Sequence, residues 1–262
     1  MTRRDDPVIL LNQDLMGEHQ AIVHYLTHAF TVVRQYGDSI EAIARDEMRH
    51  FKWLAHAIVA LGGVPDLTPP HLLPVYSGVE ALDYDINAEE EAISQYLAHR
   101  RDIADERVQN LISRIVVDER DHRRQFIGLR EKWVSGGTDD MPERGGDERV
   151  VRLFQTAVSR EYQEILRSLM ESFLQRHVRE VGLDAEDRAV DEMKHMSWIA
   201  QSMVDAGGIP RLNPSEGSGH APETDIYREL KDWAEAQMPG LVPLIVRVIQ
   251  HEEYHQLVTP PG

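Results

Sequence analysis

The sequence predicts an all-α protein of two four-helix bundles in tandem, and three observations carry that prediction. The stretch Asp46-Glu47-Met48-Arg49-His50-Phe51-Lys52-Trp53-Leu54 returns as Asp191-Glu192-Met193-Lys194-His195-Met196-Ser197-Trp198-Ile199, and the match continues through Gly62-Gly63-Val64-Pro65 and Gly207-Gly208-Ile209-Pro210. Eleven of the twenty-two positions between Asp46–Leu67 and Asp191–Leu212 are identical, so the chain is internally duplicated. Apolar residues recur near the 3.6-residue period over long stretches, with no strand-like alternation between them. Glu-x-x-His occurs four times, twice in each half: Glu47 with His50, Glu119 with His122, Glu192 with His195, and Glu252 with His255.

The first helix is expected from Val8 to about Tyr36, with Leu11, Leu15, Ile22, Tyr25, Leu26 and Ala29 on its apolar face. Gly37-Asp38-Ser39 reads as a break, with Ser39 as a candidate N-cap for a second helix over about Ile40–Leu61. That helix stops at Gly62-Gly63, with Pro65 beyond. Pro65, Pro69, Pro70 and Pro74 then mark a connection long enough to cross a bundle. A third helix begins between Gly78 and Asp85 and runs to about Ile103, and a fourth covers about Glu106–Val134. The polar, Gly-rich run 135–148 is the expected linker, dividing a domain over 1–134 from one over 149–262. The second half repeats the plan, with helices over about Arg149–Val181, Ala185–Ala206, Glu223–Gln237 and Leu241–Val258 and a shorter crossover. Each set of four helices is expected to close a core of its own.

The 262 residues, 42% of them hydrophobic, suffice for two cores. With no cysteine, the chain has no disulfides, thiolate metal sites or Cys nucleophiles. No signal-peptide pattern or membrane-length apolar run is read, so a cytoplasmic location is expected. The net charge of −17 argues against nucleic acid and anionic membranes as partners.

Residues three apart on a helix share a face, so each Glu-x-x-His points a carboxylate and an imidazole the same way. Glu18 precedes Glu47 by 29 residues and Glu91 precedes Glu119 by 28. In two antiparallel hairpins those near-equal separations bring Glu18, Glu47, His50, Glu91, Glu119 and His122 to one height. Buried together, the carboxylates need cations. Six oxygen and nitrogen ligands suit two divalent first-row metals better than one zinc. In the second half Glu161, Glu192, His195, Glu252 and His255 occupy corresponding positions. Its third-helix carboxylate is open between Glu223, Asp225 and Glu229, or missing, and Ser168 replaces Tyr25.

Residues 8–134 resemble a bacterioferritin subunit, through Leu15-Met16-Gly17-Glu18-His19-Gln20-Ala21-Ile22, Asp46-Glu47-Met48-Arg49-His50, Glu91-Ala92-Ile93 and Asp118-Glu119-Arg120-Asp121-His122. The resemblance implies two ferritin-like bundles. It also implies a di-iron centre bridged by Glu47 and Glu119, with Glu18 and Glu91 terminal, one histidine on each iron and Tyr25 alongside; such sites also take manganese. Met48 and Met193 stand where the family's haem-ligating methionine falls, though packing is the simpler role for both. His24, His28 and His99 read as surface or satisfied polar groups, and Trp53 and Trp198 as core or contact residues. Neither half has room for the family's short fifth helix, so a pair of bundles, or a small homo-oligomer of them, is expected rather than an iron-filled cage. Met48, Phe51 and Ala55 are the expected contacts to Met193, Met196 and Ala200 in that pair. The implied activity is oxidation of Fe(II) by dioxygen or peroxide, with metal ions and oxidant as partners. The alternatives are a di-iron oxygenase or oxidase acting on a small organic substrate, and a non-catalytic metal-binding interaction protein.

Overall fold

The computed structural model describes residues 6–32, 34–71, 78–136, 145–175, 179–214 and 223–258, and no strand occurs among them. The chain divides into two compact units, Met1–Met141 and Pro142–Gly262. The first contains α1 (Pro7–Thr31), α2 (Arg34–Ala60), α3 (Gly78–Asp102) and α4 (Glu106–Gly136). The second contains α5 (Glu148–Leu174), α6 (Arg179–Asp205), α7 (Glu223–Gln237) and α8 (Val242–Val258), with one 3-10 turn at Pro239–Leu241. In each unit the first helix pairs with the second and the third with the fourth. The first also faces the third, and the second the fourth, so the fold is a four-helix bundle.

The duplication is visible in details as well as in plan. Asp6 and Asp147 open α1 and α5, each accepting a hydrogen bond from the N–H two residues on, at 3.0 and 2.9 Å. The second helices stop at Gly62 and Gly207, whose φ values of 81° and 83° belong to the left-handed region that glycine tolerates. An amide side chain on each first helix then holds the start of the crossover. Asn12 donates to the Val64 carbonyl at 3.1 Å and accepts from the Asp66 N–H at 2.8 Å. Gln155 donates to the Arg211 carbonyl at 2.7 Å and accepts from the Arg211 N–H at 2.9 Å. Asparagine has become glutamine, but the clamp persists.

The expected boundary between the first two helices needs correction. Helix α2 begins at Arg34, so Gly37-Asp38-Ser39 lies inside it and Ser39 caps nothing. Gly37 is buried, and a Cβ there would come within 2.7 Å of the Ala29 carbonyl oxygen. This glycine permits close approach of α1 and α2; it does not break the chain. The same shift occurs in the second unit, where α5 ends at Leu174 and the buried Gly182 sits within α6. Phe51 packs edge-on against His19 of α1, inside the first unit, with ring centroids 5.4 Å apart. No helix among the described residues is long and apolar enough to cross a membrane.

On α3 the buried positions include Leu82, Asp85, Glu89, Tyr96 and His99, an inward stripe at spacings of three, four and seven. On α1 the buried stripe likewise carries Asp14, Glu18 and Tyr25. The seam where α1 faces α3 is therefore polar, and it leads to the site.

Candidate metal centre

In the first unit α2 contributes Glu47 and His50, α4 contributes Glu119 and His122, and α1 contributes Glu18. The carboxylate from α3 is Glu89, not Glu91. Glu89 is buried in the cluster, whereas Glu91 is exposed, two residues out of step with the inward stripe. Ligand-type atoms of Glu18, Glu47, His50 and Glu119 lie within 4.8 Å of one another, as do those of Glu47, Glu89, Glu119 and His122. The two sets overlap in Glu47 and Glu119, which places these two carboxylates between the other four groups.

Both imidazoles turn Nδ1 inward. His50 Nδ1 lies 2.9 Å from Glu47, 3.1 Å from Glu119 and 3.7 Å from Glu18. His122 Nδ1 lies 2.9 Å from Glu47, 3.1 Å from Glu119 and 4.0 Å from Glu89. Their Nε2 atoms point outward, crosswise, at the aspartates that precede the glutamates. His50 faces Asp118 and His122 faces Asp46, each at 3.4 Å. A proton held on Nε2 by aspartate leaves the Nδ1 lone pair free for a metal. The sequence announced this arrangement as Asp-Glu-x-x-His, with the aspartate unread.

Two tyrosines orient the Glu89 and Glu18 carboxylates. Tyr25 donates to Glu89 Oε1 at 2.7 Å, and Tyr96, which the sequence reading missed, donates to Glu18 Oε1. Burial and the adjacent carboxylates push both phenols well above their ordinary pKa, so they stay O–H donors.

The donor set fits metal ions. Burial pushes the Glu18 and Glu89 carboxyls well above the usual range, and the neighbouring carboxylates add to it. At Glu47 burial is outweighed by hydrogen bonds from His122 and His50, which hold it well below. Burial would lower the two imidazoles, but the surrounding carboxylates outweigh it and raise both, His122 to about 11. Protons thus stand in for cations when no metal is bound. They do so incompletely, because Glu47 Oε1 and Glu119 Oε1 are each approached only by an Nδ1 that other carboxylates share, at 2.9 Å from His122 and 3.1 Å from His50. A single Nδ1 facing three carboxylates cannot satisfy them all, whereas a multivalent cation can.

The second unit assembles one such set among its described residues: Glu161, Glu192, His195 and Glu252, all buried. Tyr227 on α7 donates to Glu161 as Tyr96 does to Glu18. His195 Nδ1 lies 3.0 Å from Glu192, 3.4 Å from Glu252 and 3.6 Å from Glu161. These carboxylates outweigh the lowering effect of burial and raise the imidazole to about 11. Burial is the main cause that raises Glu161, to about 8. The outward Nε2 of His195 meets His251 Nδ1 at 3.0 Å, where the first unit has Asp118. The side chains of Glu223 and His255 lie outside the described residues. The other third-helix alternatives are not inward: Asp225 is exposed, and Glu229 pairs with Arg149 at 2.6 Å.

His24, His28 and His99 are buried and paired. His24 and His28 flank Asp85 at 3.1 and 2.6 Å, and His99 Nδ1 meets Asp14 at 2.7 Å. Met48 and Met193 are half-buried. Trp53 and Trp198 sit beside the ligand-type histidines, at 5.8 Å from His50 and 6.0 Å from His195. Arg114 and Arg247 lie over the respective indoles, a pairing both units share.

A bundle that turns carboxylates and imidazoles inward from four helices belongs to the carboxylate–histidine class of helical proteins. Residues 9–133 match the ferritin-like domain of the ferritin family, so the first unit is a ferritin-like domain. Among solved structures it is similar to Mycobacterium tuberculosis bacterioferritin, BfrA, at 25% identity. That match covers 52% of this chain and 91% of the other, with a TM-score of 0.46. No curated protein sequence is similar enough to add to the comparison.

Proposed function

We propose that the first unit holds two irons through Glu18, Glu47, His50, Glu89, Glu119 and His122 and oxidises Fe(II) with dioxygen or peroxide. The observation that carries this reading is the pair of four-residue sets sharing Glu47 and Glu119. Two irons bridged in this way would supply the electrons that reduce the oxidant. The chain supplies the rest. Six side chains fix the ligand geometry, Asp118 and Asp46 hold the imidazole tautomers, and Tyr25 and Tyr96 orient the terminal carboxylates. The ferritin-like family and the name of the bacterioferritin neighbour agree with an iron protein.

Access favours a metal cation over an organic substrate. A 440 Å³ cavity lies between α1 and α3, with Glu18, Glu47, Glu89 and Glu119 among its lining residues. Exposed Gln20, Asn87, Glu91 and Gln95 also line it. An acidic, hydrogen-bonding passage attracts hydrated cations and is a poor container for an apolar substrate. The second unit is proposed as a partial site that binds metal through Glu161, Glu192, His195 and Glu252. Anaerobic loading with Fe(II), metal analysis and then exposure to oxygen test the proposal. Bound iron and oxidation well above the buffer rate are expected; iron that neither binds nor oxidises faster than in buffer would refute it.

A further inference from the structure

Asp14 stands one helical turn before Glu18 on α1 and lines the same cavity, yet it is only 1% exposed. Its two oxygens are used unequally. Oδ1 accepts from Gln95 Nε2 at 2.9 Å and from His99 Nδ1 at 2.7 Å, both on α3. Oδ2 is buried without a hydrogen-bond partner. Burial pushes the carboxyl above its usual range, and the bonds from His99 and Gln95 pull it part of the way back. An oxygen anchored next to one that nothing satisfies is a preorganised single-atom ligand, costly to bury unless something occupies it.

The second unit argues that this arrangement is not there for packing. At the counterparts of Asp14 and His99 it carries Ala157 and Leu230, both buried and apolar. The same seam thus closes with hydrocarbon, more cheaply than with a buried polar pair.

We infer that Asp14 Oδ2 binds a hydrated divalent cation in the cavity that the glutamates of the metal centre also line. The inference rests on the proposed function for the identity of that cation as Fe(II), but the binding itself is separately testable. A carboxylate oxygen is a hard ligand suited to such an ion. The cavity has room for the waters that complete its shell, each taking about 30 Å³. Exposed Glu91 and buried Asp14 and Glu18 line the one cavity. With one protein carboxylate, the Asp14 position holds its ion more weakly than the six-residue centre and passes it on.

Anaerobic Co(II) titration, followed by calorimetry and visible absorption, tests this. The wild-type protein should show a tight class of sites and at least one weaker site. Asp14→Asn should remove the weaker site, retain the tight class, and slow its filling several-fold at limiting cobalt. The double variant Asp14→Ala with His99→Leu installs the pair the second unit already carries. It should behave the same way, with thermal unfolding showing an intact fold. Titrations of both variants that superimpose on the wild type would overturn the inference and leave the metal centre standing. Absence of the tight class from the wild type would instead strike the proposed function, since the test of Asp14 is the difference between wild type and variant.

Discussion

The two units descend from one plan and have kept different parts of it. Both retain the hairpin of first and second helices, the glycine stops, the amide clamp on the crossover, and a buried set of three glutamates and a histidine. They differ along the seam between first and third helices and behind the histidine of the second helix. Helix α3 has 25 residues and α7 has 15, and the position that corresponds to Glu89, His220, lies outside the described residues. Tyr25 has become Ser168, Asp14 and His99 have become Ala157 and Leu230, and Asp118 has become His251. The hairpin and its clamps therefore suffice to hold a bundle. The second unit forms its bundle without Tyr25, Asp14 and His99, so those parts of the polar seam are not needed for the fold.

The largest expected effect separates the units outright. Glu47→Ala removes a carboxylate common to both four-residue sets, so iron oxidation should fall about 100-fold or more, roughly 2.7 kcal/mol of transition-state stabilisation. Glu192→Ala, its counterpart, should lower the rate less than about threefold on the same scale. Matched oxidation assays on the two variants decide the ranking. A greater loss from Glu192→Ala would reverse it.

A narrower test concerns which glutamate of the run Glu89-Glu90-Glu91 faces the metals. Glu89→Gln should reduce the metal bound by the first unit from two ions to one, while Glu91→Gln should leave the count unchanged. Metal analysis after anaerobic loading and gel filtration reads the difference directly. Equal counts in the two variants would remove Glu89 from the centre.

That pair of residues also marks where the sequence stopped being legible. Glu18, Glu161, Glu252 and the motifs Glu47 with His50, Glu119 with His122 and Glu192 with His195 could be read because spacing along a single helix, or across a short hairpin, is local information. The choice between Glu89 and Glu91 depended on the register of α3 against α4, and counting back from Glu119 slipped by two residues. The inward stripe Leu82, Glu89 and Tyr96, at sevens, carried the correct answer, but its middle member is charged, so an apolar-face search passes over it. Gly37 misled for a related reason. In sequence a glycine before Asp-Ser resembles a break, and only packing shows that the Ala29 carbonyl needs the space. Tyr96 and Tyr227 escaped notice because a tyrosine on an inward face is usually core.

Smaller effects should follow from the groups behind the histidines. Asp118→Ala removes the acceptor facing His50 Nε2 and should weaken metal binding in the first unit about 10- to 100-fold. The reverse change is available in the second unit, where His251→Asp would place a carboxylate behind His195 and should tighten binding there by up to about tenfold. Competition with a chelator of known affinity measures both. If Asp118→Ala binds metal as tightly as the wild type, the crosswise aspartates are surface groups without influence on the site.

The smallest signal is a slope, and its sign separates protons from metals as occupants of the same sites. Without metal, His122 and His195 are raised to about 11 from an unfolded value near 6.5, and Glu161 to about 8 from near 4.5. Glu18 and Glu89 shift upward as well. In each case the folded state binds protons more readily than the unfolded chain. The histidine contribution is fully present below pH 6.5 and is lost as pH rises through about 11; that of Glu161 is present below 4.5 and lost through about 8. Glu47 is depressed and acts oppositely, its contribution being lost as pH falls below the ordinary carboxylate range. Metal-free protein should therefore be most stable in mild acid, with a melting temperature that declines from about pH 5 to 8. Loading with redox-inert Zn(II) should reverse that slope, because the metal needs the same imidazoles and carboxylates deprotonated and competes with protons for them. Zinc-loaded Glu47→Ala, with the shared carboxylate gone, should recover much of the metal-free slope, whereas zinc-loaded Glu192→Ala should keep the reversed one. Parallel slopes for metal-free and zinc-loaded wild type would mean that the buried groups are settled by protons alone and that the first unit takes up no metal.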